Sequence, residues 1–251
     1  METTMGITVN AGGDAERRTR ATRGSTRCIT LRRCVALALG ALLLAAPSVR
    51  ATSDEELATN ARLLASARSE DAAGVARALH DGAAVDSRNR LGETSLLVAL
   101  EKNRPDIAQA LIDAGADVNL AAINGVTPLM AAAYAGQAVI AETLVARGAD
   151  VRATDRVGKN AITYAAGEGH TDVVRLLLRH GVDPNAVYRN DLTALMWAAG
   201  YGHAETVRAL ITAGARIDLV DNRGKSALDM AREFKHAETV QALEEAQRRV
   251  H

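Results

Sequence analysis

The stretch that decides the fold runs from residue 124 to residue 156 and reads NGVTPLMAAAYAGQAVIAETLVARGADVRATDR. Three further stretches of the same length, 91–123, 157–189 and 190–222, match it when the chain is shifted against itself by 33 residues. An internal period of this size is typical of proteins built from stacked units, each of which packs mainly against its neighbours. The sequence therefore predicts a repeat solenoid.

The residues of one unit predict its local structure. Thr127 and Pro128 predict the start of a helix, because a capping hydroxyl precedes a proline whose fixed φ suits the first helical position. Gly136 ends this short helix, since glycine readily takes the left-handed conformation. Apolar residues at helical spacing predict a second helix that ends at Gly148. An extended finger follows and turns at residues 155–158.

The unit resembles an ankyrin repeat, which consists of two antiparallel helices and a β-turn. The resemblance rests on the Thr-Pro-Leu opening at 127–129, the Gly-His pairs at 169–170 and 202–203, and a recurring glycine after each second helix. Those glycines are Gly115, Gly148, Gly181 and Gly214. The resemblance implies an all-α solenoid of about six units over residues 58–251. We number them repeats 1 to 6: 58–90 (an amino-terminal cap), 91–123, 124–156, 157–189, 190–222 and 223–251 (a carboxy-terminal cap).

One position departs from the family pattern. Ankyrin repeats usually have a histidine directly after the Thr-Pro-Leu opening, where it hydrogen-bonds to the adjacent unit. In this chain the equivalent residues are Leu97, Met130, Thr163, Met196 and Asp229. The departure bears on how stiffly adjacent repeats are joined.

The first 51 residues do not follow the repeat and predict a secretory signal. Basic residues up to Arg33 precede an unbroken apolar run at 35–46, the layout of a signal peptide. A membrane-spanning helix needs about 20 apolar residues, which is more than this run has. We expect cleavage after Ala51, a short linker at 52–57 and no stable membrane insertion after cleavage. An uncleaved, anchoring signal is the alternative.

The same segment bears on location. Arg32-Arg33 is compatible with a twin-arginine signal, but the flanking residues fit poorly, so a Sec signal is favoured. The alanine- and arginine-rich composition indicates a bacterial chain, and we predict a periplasmic protein, with secretion beyond the envelope as the alternative. Cys28 and Cys34 both precede the predicted cleavage site. The mature chain would therefore have neither a disulfide nor a thiol nucleophile.

Charge and motifs exclude several function classes. The chain has 30 Lys/Arg and 30 Asp/Glu, of which the first 51 residues hold eight and three, so the remainder has a formal charge of −5. A mildly acidic stack argues against a nucleic-acid partner. The sequence has no nucleophile elbow, phosphate-binding loop or His-Glu-x-x-His helix. We therefore predict a non-enzymatic monomer with no cofactor and no small-molecule substrate.

Three histidines, His170, His203 and His236, recur at the 33-residue period. Such a row could indicate a metal or catalytic site. The structural interpretation is that each imidazole bonds backbone at a helix junction. We favour the structural interpretation, because ligands of one ion must all lie near 2 Å from it, whereas packed helices of adjacent repeats lie about 8–10 Å apart. We therefore predict no metal site.

The aromatic residues predict a binding surface. All six lie on a first helix or a finger: Tyr134, Tyr164, Tyr188, Trp197, Tyr201 and Phe234. Binding hot spots are enriched in Trp, Tyr and Arg. The resemblance implies a concave face made of finger tips and first-helix ends, and we predict a protein-binding groove there from Leu91 to Phe234. Its predicted contact residues are Tyr134, Arg156, Lys159, Arg189, Leu192, Tyr201, Arg223 and Phe234, whereas Tyr164 and Trp197 are expected to be mostly core.

Three functions follow, in order of preference. The first is a periplasmic scaffold that binds one protein partner on the concave face. The second is a secreted effector that binds host proteins. The third is an enzyme or metal-binding protein that uses the histidine row.

Overall fold

The computed structural model describes residues 54–250, with side chains to residue 249. In this part of the chain twelve α-helices follow one another as six consecutive pairs. The only β-structure there consists of two isolated β-bridges. The helices are α1 (Asp54–Arg68), α2 (Ala72–His80), α3 (Ser95–Glu101), α4 (Pro105–Asp113), α5 (Pro128–Tyr134), α6 (Ala138–Ala146), α7 (Ala161–Glu168), α8 (Thr171–Arg179), α9 (Ala194–Gly200), α10 (Ala204–Thr212), α11 (Ala227–Glu233) and α12 (Ala237–Val250). This is the all-α repeat fold that the sequence predicts.

The predicted linker at 52–57 is wrong from Asp54 onwards, because helix α1 already begins there. Asp54, Glu55 and Glu56 occupy its first turn, where carboxylates interact favourably with the helix dipole. The predicted signal at 1–51 lies outside the described residues. Of the helices in the described part, none has the length and apolar character needed to cross a membrane.

The first helices of repeats 2 to 6 begin where a side chain caps them. In each case the capping oxygen accepts a hydrogen bond from the backbone N–H three residues later, which satisfies one of the unpaired donors of a helix start. The capping residues are Thr94, Thr127, Asn160, Thr193 and Ser226. In repeats 4 and 6 the side chain of the third helical residue, Thr163 or Asp229, accepts a hydrogen bond from the N–H of the capping residue and completes a capping box.

A single apolar core runs through the described repeats from Leu63 to Leu243. The first helices fill it with alanine and leucine; Leu129, Ala132 and Ala133, for example, are fully buried in α5. Each first helix packs against the next one along the stack, α5 on α7 and α7 on α9. Small residues on the first helices permit close approach of neighbouring repeats. None of the fully buried core side chains in the described part is aromatic.

Neighbouring fingers are joined by backbone hydrogen bonds. The N–H of Arg156 donates to the Asn124 carbonyl at 3.0 Å, and that of Asn222 donates to the Asn190 carbonyl at 3.1 Å. The finger of repeat 5 differs from the others because Asp191 stands where they have glycine. Asn190 and Asp191 take φ values of 64° and 59°, and residues Arg189–Asp191 form a 3₁₀ turn.

Candidate functional site

Each histidine of the periodic row bonds a backbone carbonyl of the preceding repeat. The Nε2 atoms of His170, His203 and His236 lie 2.9, 2.8 and 3.0 Å from the carbonyl oxygens of Tyr134, Gly167 and Gly200, in that order. The rings therefore join adjacent repeats, as the structural interpretation predicts. Among residues 54–249 there is also no group of three His, Cys, Asp or Glu side chains placed to hold a metal ion.

Two residues at the same register perform this task in the earlier repeats. The amide of Gln137 donates to the Leu100 carbonyl at 3.2 Å, and the guanidinium of Arg104 donates to the Glu70 carbonyl. Together with the three histidine bonds, they join every pair of adjacent repeats from repeat 1 to repeat 6 at this register. Gln137 and Arg104 were not predicted, although they lie one and two 33-residue periods before His170.

The face that we call the groove face comprises the finger tips and the carboxy-terminal ends of the first helices. Side chains of repeats 3, 4 and 5 meet there around Tyr164 and Lys159. The Tyr164 hydroxyl donates to Asp155 Oδ2 at 2.6 Å. Burial, together with this bond and the charge of Asp155, raises the pKa of Tyr164 well above its usual range. Lys159 Nζ lies 5.3 Å from the Tyr164 ring centroid and 4.1 Å from that of Trp197, a cation–π arrangement.

Three of the predicted aromatic contacts are exposed on this face. Tyr134, Tyr201 and Phe234 have relative exposures of 55%, 59% and 59%. Tyr134 meets Tyr164 edge-on with centroids 6.1 Å apart, and Tyr201 stacks on Trp197 at 6.0 Å. Tyr134 and Tyr201 therefore each rest on a half-buried aromatic ring, which limits the conformational entropy that they would lose on binding.

The predicted cationic contacts fall into two groups. Arg156 and Arg189 are exposed, and within the described residues neither guanidinium has a carboxylate within 4 Å. Arg223 forms an ion pair with Asp221, whose buried carboxylate lies 2.8 Å from its Nη2. Lys159 is half-buried, and its ammonium lies over the Tyr164 and Trp197 rings instead of extending freely into solvent.

A surface cavity of about 420 Å³ lies on the groove face between repeats 5 and 6. It brings together four of the predicted contact residues: Leu192, Tyr201, Arg223 and Phe234. Five residues that were not predicted complete its walls: Met196, Trp197, Gly200, Met230 and His236. Trp197 was expected to be mostly core, but it is half-buried and lines the cavity.

A larger cavity, about 520 Å³, lies elsewhere, between α10, α12 and the base of the finger that starts at Gly214. None of the residues that line it is aromatic, and Arg216 in its wall is already paired with Asp218 at 2.6 Å. The predicted contact residues do not contribute to it. The two cavities therefore belong to different surfaces of the stack.

Comparison with known proteins agrees with the architecture. Three copies of a family model described as ankyrin repeats match residues 63–155, 120–188 and 162–249. The chain belongs to the ankyrin-repeat family. Ankyrin repeats are generally protein–protein interaction modules and are typically non-enzymatic.

Similarity to individual curated proteins is confined to a short segment. The mitochondrial disaggregases of Bos taurus and Homo sapiens are each 43% identical to this chain over 61 residues, which is 24% of the chain and 9% of either disaggregase. The chain therefore spans only about a tenth of the length of those proteins.

Proposed function

We propose that this ankyrin-repeat protein is a non-enzymatic scaffold of the bacterial periplasm that binds one protein partner on its groove face. The observation that supports the proposal is the distribution of exposed apolar side chains. Ten large hydrophobic side chains are prominently exposed in the described residues, and six of them lie on this face: Leu91, Ile123, Tyr134, Val157, Tyr201 and Phe234. Gathered apolar surface of this kind marks interaction sites.

The chemistry of the face suits a protein partner. The exposed rings of Tyr134, Tyr201 and Phe234 share it with the exposed guanidiniums of Arg156 and Arg189, and tyrosine and arginine are enriched in binding hot spots. The apolar side chains extend over repeats 2 to 6, a surface longer than a small molecule would need. The periplasmic location rests on the sequence pattern of residues 1–51 alone.

A crosslinking pull-down from periplasmic extract tests the proposal. The bait is the purified protein, compared with a groove variant, Tyr134→Ala/Arg189→Ala/Tyr201→Ala. A matched control, Val139→Ala/Arg179→Ala/Arg208→Ala, removes the same number of exposed side chains, but from second helices. Circular dichroism establishes that both variants are folded.

We expect a partner to be captured by the wild-type protein and by the second-helix control and lost by the groove variant. Equal capture by all three baits, or loss only with the control, would contradict binding on the groove face. Capture from host-cell extract with none from periplasmic extract would instead favour the secreted effector.

A further inference from the structure

We infer that the cavity between repeats 5 and 6 binds one large apolar side chain of the partner, and that acidic residues flank this side chain in the partner's sequence. The inference rests on the proposed function and specifies the chemistry of the segment that is bound. It follows from three features of the cavity: the composition of its walls, the sign of the charges around it, and its continuity with the rest of the groove face.

The walls are apolar and deformable. Leu192, Met196 and Met230 supply aliphatic and thioether surface, while Trp197 and Phe234 supply aromatic surface. Methionines fill irregular gaps and repack easily around different apolar shapes. An apolar side chain entering this cavity removes hydrocarbon surface from water on both partners, which is the main source of affinity at interface anchors.

The charges next to the cavity are positive. Arg223 is the charged residue of its lining, where it is paired with the buried carboxylate of Asp221; no carboxylate itself lines the cavity. On the adjoining repeat the Lys159 ammonium sits over the Trp197 ring, and the neighbouring finger presents the exposed Arg189. Glu168 and Asp191 lie on the same face but do not contribute to the lining. Carboxylates beside the inserted side chain would therefore find cationic partners.

The same charges argue against a cationic ligand. Aromatic walls such as Trp197, Tyr201 and Phe234 can form a cage for an ammonium group. Here, however, Lys159 already occupies a cation–π position on Trp197, and Arg223 lies in the cavity wall. A second cation would meet both of them without a carboxylate in the lining to offset the repulsion.

The cavity is also continuous with a longer surface. Trp197 in the cavity wall lies under the Lys159 ammonium, which also lies over the Tyr164 ring, and Tyr164 in turn meets the exposed Tyr134. This chain of contacts extends from the cavity towards repeats 4 and 3. A free small molecule would fill the cavity alone, whereas a protein segment can place one side chain in it and run along the finger tips. We therefore assign the occupant to a segment of a protein.

Trp197 makes the inference directly measurable, because it is the chain's single tryptophan and it lines the cavity. The probes are three short synthetic peptides without tryptophan: an Asp/Glu-rich peptide with one central leucine, the same peptide with serine for leucine, and the same peptide with lysine for every acidic residue. Emission of Trp197 reports occupancy as each peptide is titrated into the purified protein.

We expect the acidic leucine peptide to change the emission and to bind more weakly as salt rises. Serine in place of leucine should weaken binding by about tenfold or more, the usual loss for an interface anchor. Phe234→Ala should weaken binding of the leucine peptide to a similar degree. The control Val139→Ala, which changes a 77%-exposed residue of a second helix, should bind it as the wild type does.

Four results would overturn the inference: no binding of the acidic leucine peptide, equal binding of the serine peptide, tighter binding of the lysine peptide, or no effect of Phe234→Ala. The third would identify the cavity as an ammonium cage. If the peptides fail while the groove variant still loses its partner in the pull-down, the proposed function stands and only this inference falls.

Discussion

His203 Nε2 lies 2.8 Å from the carbonyl oxygen of Gly167, a residue 36 positions earlier in the preceding repeat. The ring also packs against the backbone of that repeat at Gly169, where an added Cβ would lie 2.5 Å from Nδ1. A single side chain thus holds two repeats together by a hydrogen bond and by close contact. The periodic histidines stabilise the stack, and this role makes specific predictions.

His203→Ala should lower the free energy of unfolding by about 1–2 kcal/mol, because it leaves the Gly167 carbonyl without its partner and opens a gap between repeats. His203→Gln should lose less, since Gln137 bonds a carbonyl from the equivalent register with its amide. Urea unfolding measures the free energy of unfolding of both variants. Capture of the partner should be unchanged, because His203 does not line the groove cavity; lost binding at unchanged stability would contradict the structural role.

Gly169→Ala should destabilise the protein by about 2–3 kcal/mol, since it combines a left-handed φ of 78° with a clash against the His203 ring. Gly148→Ala is the matched control: its φ is 89°, but an added Cβ meets nothing within 4 Å, so only the backbone cost of about 1 kcal/mol is expected.

A double-mutant cycle separates the two contributions. In the His203→Ala background the clash is gone, so Gly169→Ala should cost no more than the Gly148 control. Strict additivity of Gly169→Ala and His203→Ala would show that the two residues do not interact.

Asp191→Gly should stabilise the protein by roughly 0.5 kcal/mol. The residue takes a φ of 59° where the other fingers have glycine, and relief of this strain exceeds the greater entropy of glycine in the unfolded chain. The reverse change, Gly224→Asp, alters the equivalent position of repeat 6 and should destabilise by about 1 kcal/mol. Thermal or urea unfolding would have to show these opposite signs for the explanation to hold.

Asp221 should contribute stability that depends on pH. Burial acts to raise its pKa, but hydrogen bonds from the N–H groups of Lys225 and Arg223 and from the Arg223 guanidinium outweigh burial and hold the pKa below its usual range. A depressed folded-state pKa means that the stabilisation is complete above the unfolded-state pKa of about 3.9 and is lost as pH falls through the folded-state value.

Asp221→Asn tests this. Asn89 accepts hydrogen bonds from the equivalent finger N–H groups in repeat 2, so the variant should keep the turn. It should lose only the ionic contribution of Asp221 to the free energy of unfolding, on the order of 1 kcal/mol at neutral pH. The difference in melting temperature between wild type and variant should shrink as the pH is lowered below about 4. A difference that is constant with pH would mean that the charge of Asp221 does not stabilise the fold.

Much of the fold could be predicted because its signals are local and recur. Thr127 followed by Pro128 specifies a helix start within one turn, and the structure confirms both the cap and the helix. Weaker local signals were misjudged: Asp54 to Leu57 looked like a polar linker, but acidic residues at a helix start are stabilising, and the helix extends into them.

The candidate site was predictable only in part. Periodicity placed Tyr201 and Phe234 at exposed first-helix ends, where the structure also has them. Trp197 was assigned mostly to the core, because a sequence does not show how far a neighbouring finger covers a ring. Lys159 was expected to be a free contact, and its position over Trp197 became visible only with the side chains of two repeats in place.

The sequence by itself determined the repeat length, the helix boundaries near the Thr-Pro and Gly-His positions, and the face on which aromatic residues gather, because each of these depends on residues within one 33-residue unit. The tertiary structure decided which groups come together across units: the His203 ring with the Gly167 carbonyl, Lys159 with Trp197, and Tyr201 and Phe234 as walls of one cavity. These pairs are separated by about one repeat of chain, so their contact depends on the angle and spacing at which the repeats stack. Side-chain packing between units sets that geometry.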